Sequence, residues 1–233
     1  MEDTTMNAIN ITAIGGGGFT HDTYPALDEF CLKQASKADV RLGFIGAASN
    51  DDPVKIDRFH ARFDGLTARH VHLPMALDTQ TLENHLNVLD MVYIGGGDTE
   101  AMVDLWRRNG WDRVLSEAAR RGLAIAGVSA GAVCWFDRFL FHSGSGPMRP
   151  LQGLGLIKGG ACPHYSTETD RHAALHDAVS RGTMPNTIAM DDGVAVVFDA
   201  SGPVATYSAE PEASAFHVRR TDAGRVTETR LSF

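Results

Sequence analysis

Cysteine is scarce in this 233-residue chain: Cys31, Cys134 and Cys162 stand far apart, an odd number with no C-x-x-C pair. That excludes a disulfide framework and a thiolate zinc site, and it fits a reducing, cytoplasmic setting. A basic excess is missing as well. Lys and Arg number 21 against 29 Asp and Glu, a formal net charge of −8, and no Lys/Arg block offsets it. Neither a nucleic-acid surface nor an anionic-membrane surface is therefore expected. No apolar run approaches the ~20 residues that a bilayer-spanning helix requires. The opening MEDTTMNA carries acids where a secretory leader carries positive charge, so export is not expected. Internal repeats, low-complexity tracts and linker-like stretches are absent too, which predicts one domain over residues 1–233.

What the chain does have is the composition of a globular protein, 43% hydrophobic and 21% charged. INITAIG (9–15), VRLGFIGA (40–47), RHVHLP (69–74), VLDMVYIGGG (88–97) and LAIAGVS (123–129) read as strands. Most are apolar nearly throughout, as expected when both sheet faces are covered. Amphipathic segments lie between them. Leu27, Phe30, Cys31 and Gln34 recur at helical intervals, and Pro53, Thr79, Asp98 and Trp111 stand near plausible helix starts. Alternation of this kind predicts an α/β fold with a mostly parallel sheet and helices on both faces. After Asp192 the runs VAVVFD, VATYSA, SAFHVRR and RVTETRLSF alternate between turn signals, which predicts antiparallel hairpins closing that sheet.

Gly127-Val128-Ser129-Ala130-Gly131 satisfies G-x-S-x-G where that pattern has mechanical meaning, at a strand end with a helix-like AGAVCWFDRF following. Small neighbours permit a sharp turn, and the hydroxyl then faces a helix start that favours developing negative charge. The plainer alternative is a glycine-rich turn with a capping serine. A serine nucleophile needs a base and a group that orients the base. His164 ends an apolar run in ACPHYSTE, whereas His217 lies mid-strand in SAFHVRR; Asp191 and Asp192 follow another apolar run. Two orders are open from the residues: Ser129, His164, Asp192, or Ser129, Asp192, His217. Asp191 competes with Asp192 for the acid.

GVSAGAVCWF, YIGGGDTEAM, CPHYSTE and IAMDDGVAVV, in this order, resemble the dipeptidase E and cyanophycinase family of serine peptidases, family S51. The resemblance runs from AIGGGG to the last hairpins. It implies a three-layer α/β sandwich of the class I glutamine amidotransferase-like, flavodoxin-like kind, with Ser129 where those amidotransferases carry cysteine. It also implies the triad Ser129, His164 and Asp192, the last standing where dipeptidase E has glutamate. Gly96 or Gly97 with Ala130 is expected to form the oxyanion hole, because glycines let backbone N–H groups approach an anion closely. Asp98 and Thr99 are expected to line the substrate cleft. Asp98 could hold a substrate ammonium, and it could equally cap a helix.

The substrate class that follows is a short peptide, with preference for an acidic first residue implied by the resemblance. Arg171, seven residues after His164, is the candidate for a substrate carboxylate. No cofactor is expected, and a homodimer is allowed. An esterase on the same triad, or a small-ligand-binding protein of the same fold, stays open. IGGGGF (14–19) lacks the full dinucleotide fingerprint, and Walker residues are absent. His172 and His176 are four apart on an expected helix but lack the glutamate of H-E-x-x-H between them, which reads as a solvated face. His70 and His72 share a strand face without an apparent third ligand, so no metal is assigned. Trp135 and Phe136 read as core contacts.

Overall fold

Five of the apolar runs become the parallel heart of a sheet. The computed structural model describes residues 9–233; the acid-bearing opening residues on which the export expectation rests lie outside them. β1 (Ile11–Ile14), β2 (Arg41–Ile45), β3 (Arg69–His72), β4 (Met91–Ile94) and β5 (Ala124–Val128) are parallel neighbours in the order β1-β5-β4-β2-β3. Their connections are α1 (Ala26–Lys33), α2 (Pro53–Phe63), α3 (Thr79–Leu86) and the pair α4 (Thr99–Asn109) and α5 (Trp111–Arg120). Three of these helices start on a capping aspartate. Asp52, Asp78 and Asp98 accept the N–H groups of Val54, Thr81 and Ala101 at 2.9, 2.8 and 2.9 Å, satisfying donors that a helix start leaves unpaired.

Successive strand residues feed opposite faces. Val92 and Ile94 pack with Trp106, Trp111 and Leu115 of α4 and α5, whereas Met91 and Tyr93 pack with Leu27, Phe59 and Phe63 of α1 and α2. Full burial of one such apolar side chain contributes about 1.5–3 kcal/mol, so both helical layers are held by their aromatic and aliphatic stripes. Among the described residues no helix is long and apolar enough to cross a membrane.

The second half departs from the expected single sheet. The helix-like AGAVCWFDRF is a four-residue helix, α6 (Ala130–Val133), followed by a strand, β6 (Phe136–Phe141). The backbone of residues 134–136 is claimed by a neighbouring segment: Leu154 N–H donates to Cys134 O at 2.7 Å and Ile157 N–H to Trp135 O at 3.0 Å. With β7 (Arg149–Gln152), β8 (Ile157–Cys162), β9 (Thr187–Met190), β12 (Ala215–Arg220) and β13 (Val226–Arg230), β6 builds a second sheet ordered β13-β12-β9-β8-β6-β7. α7 (Arg171–Ser180) packs on it. The C-terminal hairpins are divided between the sheets. β10 (Val194–Asp199) and β11 (Gly202–Ser208) extend the first sheet antiparallel to β1, and β12 and β13 extend the second. The chain thus passes between sheets after β5, after β9 and after β11.

Candidate active site

Ser129 occupies the turn between β5 and α6 with φ 51° and ψ −110°, a strained conformation for a non-glycine residue. Its small neighbours are required. A Cβ on Gly127 would lie 2.1 Å from Gly131 O, and one on Gly131 would lie 2.2 Å from Ile94 O. The turn is pinned by the Ser129 N–H to Ile14 O, 3.0 Å, and by the Ala132 N–H to Ser129 O, 3.0 Å. Ser129 caps no helix through its side chain. Its Oγ instead lies 2.8 Å from His164 Nε2.

His164 follows the end of β8 and is also held at positive φ, 51°. Its Nδ1 is 2.6 Å from Asp192 Oδ1, and Thr167 donates to the other carboxylate oxygen at 3.0 Å. Desolvation favours the neutral Asp192 carboxyl, but the hydrogen bond and charge of His164, together with Thr167, outweigh it and hold the pKa below its ordinary value. An ionised Asp192 fixes the Nδ1–H tautomer of His164 and leaves Nε2 free to accept from the serine. Asp191 is buried and faces elsewhere, bonded by Ser166 Oγ and the Ser214 N–H at 2.5 and 2.9 Å. His217 stands mid-strand in β12, 2.6 Å from Arg219 Nη2, paired with Ile188 and Thr229 in the sheet; it is not in the serine cluster.

The glycine run 15–18 acquires a reason that has nothing to do with nucleotides. A Cβ on Gly16 would fall 1.9 Å from Asp192 Oδ1 and 2.7 Å from His164 Nδ1, so the acid and base meet only because residue 16 has no side chain. The other glycine run borders the serine. A Cβ on Gly96 would be 3.2 Å from Ser129 Cβ, and Gly97, at φ 151°, would place one 2.1 Å from Ala48 O. Neither Gly96 N–H nor Gly97 N–H, nor that of Ala130, has a backbone partner among the described residues.

The remaining expectations fare differently. Asp98 is exposed and caps α4 through Oδ1. Thr99 is buried in the first turn of α4. Arg171 is 3% exposed, paired with Glu168 through Nε and Nη2, and donates from Nη1 to Leu140 O at 3.3 Å. It is spent inside the fold, which removes it as a substrate contact. His172 and His176 are not alone on a solvated face, because Glu228 of β13 meets both. Trp135 and Phe136 are buried, as expected. Cys134 is buried as well, and desolvation pushes its thiol well above its ordinary pKa, so it is no rival nucleophile.

Two groups beside the serine carried no signal in the motif spacing. Lys55 of α2 donates from Nζ to Gly96 O at 2.9 Å; desolvation lowers its pKa, with Asp52 opposing. The His21 ring lies 5.8 Å from the His164 ring, and its Nδ1 is 3.1 Å from Gly17 O. Desolvation is the main influence on His21 and lowers its pKa, which keeps the ring uncharged at neutral pH. His21 stands three residues past the last glycine of the run, and Lys55 stands 41 residues before Gly96, so neither falls inside a motif.

With that geometry in place, comparison with known proteins is decisive for the family. The profile of Peptidase family S51 matches residues 11–203. The chain belongs to peptidase family S51. An uncharacterized peptidase of Bacillus subtilis (strain 168), YgaJ, is 36% identical over 210 residues, spanning 89% of this chain and 91% of YgaJ. Two crystal structures share the fold of this S51 peptidase. One, a peptidase from an acI-B1 Actinobacterium, aligns with TM-score 0.72 at 16% identity over 97% of this chain and 98% of that one. The other, a putative peptidase E protein from Listeria monocytogenes EGD-e, aligns with TM-score 0.63 at 18% identity over 86% of this chain and 98% of that one.

Proposed function

We propose that this S51 peptidase hydrolyses short peptides through an acyl-enzyme on Ser129, and that it acts as a dipeptidase preferring an acidic N-terminal residue. One observation carries the reading: Ser129 Oγ, His164 and Asp192 form a continuous hydrogen-bonded series of 2.8 and 2.6 Å. His164 Nε2 takes the hydroxyl proton as Oγ attacks the scissile carbonyl, then passes it to the leaving amine; a water molecule repeats the sequence to release the acyl group. The N–H groups of Ala130 and of Gly96 or Gly97 receive the oxyanion.

Specificity in this reading follows from charge. Asp98 uses one oxygen on Ala101 and offers the other to a substrate ammonium. The acidic side chain needs a cation, and with Arg171 buried that role passes to Lys55, whose Nζ touches the oxyanion loop. The test is a panel of Asp-Leu, Ala-Leu, Leu-Leu and β-aspartyl-arginine dipeptides, free and N-acetylated, with a serine-reactive phosphonate alongside. Cleavage of free Asp-Leu ahead of Ala-Leu, with phosphonate on Ser129, is the expected result. Equal cleavage of capped and free peptides would remove the ammonium clamp. Absence of labelling would make the protein a binding module, and preference for uncharged esters would make it an esterase.

A further inference from the structure

Away from the serine, the described residues contain one group of three side chains whose potential ligand atoms converge: His172, His176 and Glu228, all within 4.8 Å of one another. The histidines are four apart on α7, so they share one face, and their rings stack at 4.2 Å with an interplanar angle of 24°. Glu228 comes from β13, 52 residues after His176. Its Oε2 lies 3.2 Å from His172 Nε2 and 3.0 Å from His176 Nε2. Donors on a tetrahedral zinc ion with bonds of 2.0–2.1 Å are separated by about 3.3 Å, so both contacts lie within a few tenths of an ångström of what a shared ion requires.

The surroundings also suit an ion. Tyr165 donates to Glu228 Oε2 at 2.5 Å and stacks its ring on His172, 5.1 Å between centroids. A partner of this kind orients a ligating carboxylate, and such outer contacts govern affinity nearly as strongly as the ligands. Tyr165 is itself buried, which makes it a rigid support. The His172 side chain is 59% exposed, so solvent reaches the ligands and can complete the coordination. Two imidazoles and one carboxylate, without a thiolate, select a borderline divalent cation over magnesium or calcium.

We propose that His172, His176 and Glu228 bind a divalent transition metal ion, with Zn2+ the natural probe, and that the ion ties β13 to α7. This site is separate from Ser129, His164 and Asp192, and it does not depend on the peptidase reading. Tyr165 links the two regions through the backbone, since it is the residue after His164.

The test uses the full chain stripped with a chelator. Calorimetric titration with Zn2+ is expected to show one tight equivalent. At a hundredfold excess over Kd the melting temperature rises by about 5–10 °C. Co2+ in place of Zn2+ gives the visible bands of a four-coordinate nitrogen and oxygen site. The double variant His172→Ala/His176→Ala loses the tight equivalent, and Glu228→Gln or Tyr165→Phe weakens it about tenfold or more. A control double variant, His60→Ala/His70→Ala, removes another close histidine pair, whose rings are 5.2 Å apart, and keeps the tight equivalent. Absence of a stoichiometric tight site in the parent protein would overturn the proposal. So would a site that survives in the His172/His176 variant.

Discussion

Asp191 and Asp192 are chain neighbours with opposite allegiances: Asp192 holds His164 Nδ1 at 2.6 Å, while Asp191 holds Ser166 Oγ and the Ser214 N–H. Adjacent residues of an extended segment point to opposite sides, so only one can serve the histidine. Asp192→Asn is expected to lower kcat by about 10⁴-fold through the wrong histidine tautomer, with little change in melting temperature. Asp191→Asn should do the reverse, costing about 1–3 kcal/mol of stability from strained buried hydrogen bonds while the catalytic series stays intact. Parallel kinetics and thermal melts on both variants decide it; equal kinetic losses would contradict the assignment.

Ser129→Ala removes the proposed nucleophile from a turn whose geometry is fixed by backbone bonds to Ile14 and Ala132. Turnover of a cleaved dipeptide should fall by several orders of magnitude, about the scale of triad removal, at unchanged circular dichroism. Residual turnover within tenfold of the parent would defeat the acyl-enzyme.

Lys55→Met separates the two candidate cations. A charged hydrogen bond contributes about 1.5–3 kcal/mol, which corresponds to roughly a 10- to 150-fold drop in kcat/KM for Asp-Leu, with Ala-Leu nearly unaffected. Arg171→Met should instead lower stability without changing the Asp-Leu to Ala-Leu ratio, because its guanidinium pairs with Glu168 and Leu140 O. A ratio that responds to Arg171 alone would reverse the assignment.

Asp28 makes a pH-dependent contribution to stability. It is buried beneath the loop that carries His21, and its pKa is pushed up to about 6 by desolvation, against the hydrogen bond from Arg62. The folded state therefore holds this proton more tightly than the unfolded chain, whose aspartates titrate near 3.9. Its contribution is most favourable below about pH 4 and declines as pH rises to about 6, by at most about 3 kcal/mol. Asp28→Asn lacks this slope, and Arg62 keeps its bonds to Pro25 O and Glu29. Melting temperatures of parent and variant between pH 4 and 7 should diverge in the variant's favour; parallel curves would rule the effect out.

The first half of the fold was legible because its strands are short and mostly apolar and alternate with helices, three of which start on a capping aspartate, Asp52, Asp78 and Asp98. The second sheet was not. Residues 130–136 are buried without interruption, and a continuous apolar run has no period by which to tell helix from strand. The serine, histidine and acid could be named because each ends a strand. Arg171 was misread because its partner Glu168 lies on the near side, three residues back. Lys55 and Glu228 reach their neighbours only through tertiary folding, 41 and 52 residues away.

Two of the three passages of the chain between the sheets run through the proposed catalytic cluster. Ser129 stands where the backbone leaves β5 for β6, Asp192 where it returns from β9 to β10, and His164 at the end of β8. The hydrogen-bonded series therefore works as a gauge of how the two sheets are seated on one another. A slippage of about 1 Å, too small to alter helix or strand content, is enough to cost about a hundredfold in rate. Heating or denaturant should accordingly silence the enzyme before any spectroscopic sign of melting, and recovered turnover is the stricter criterion of correct refolding.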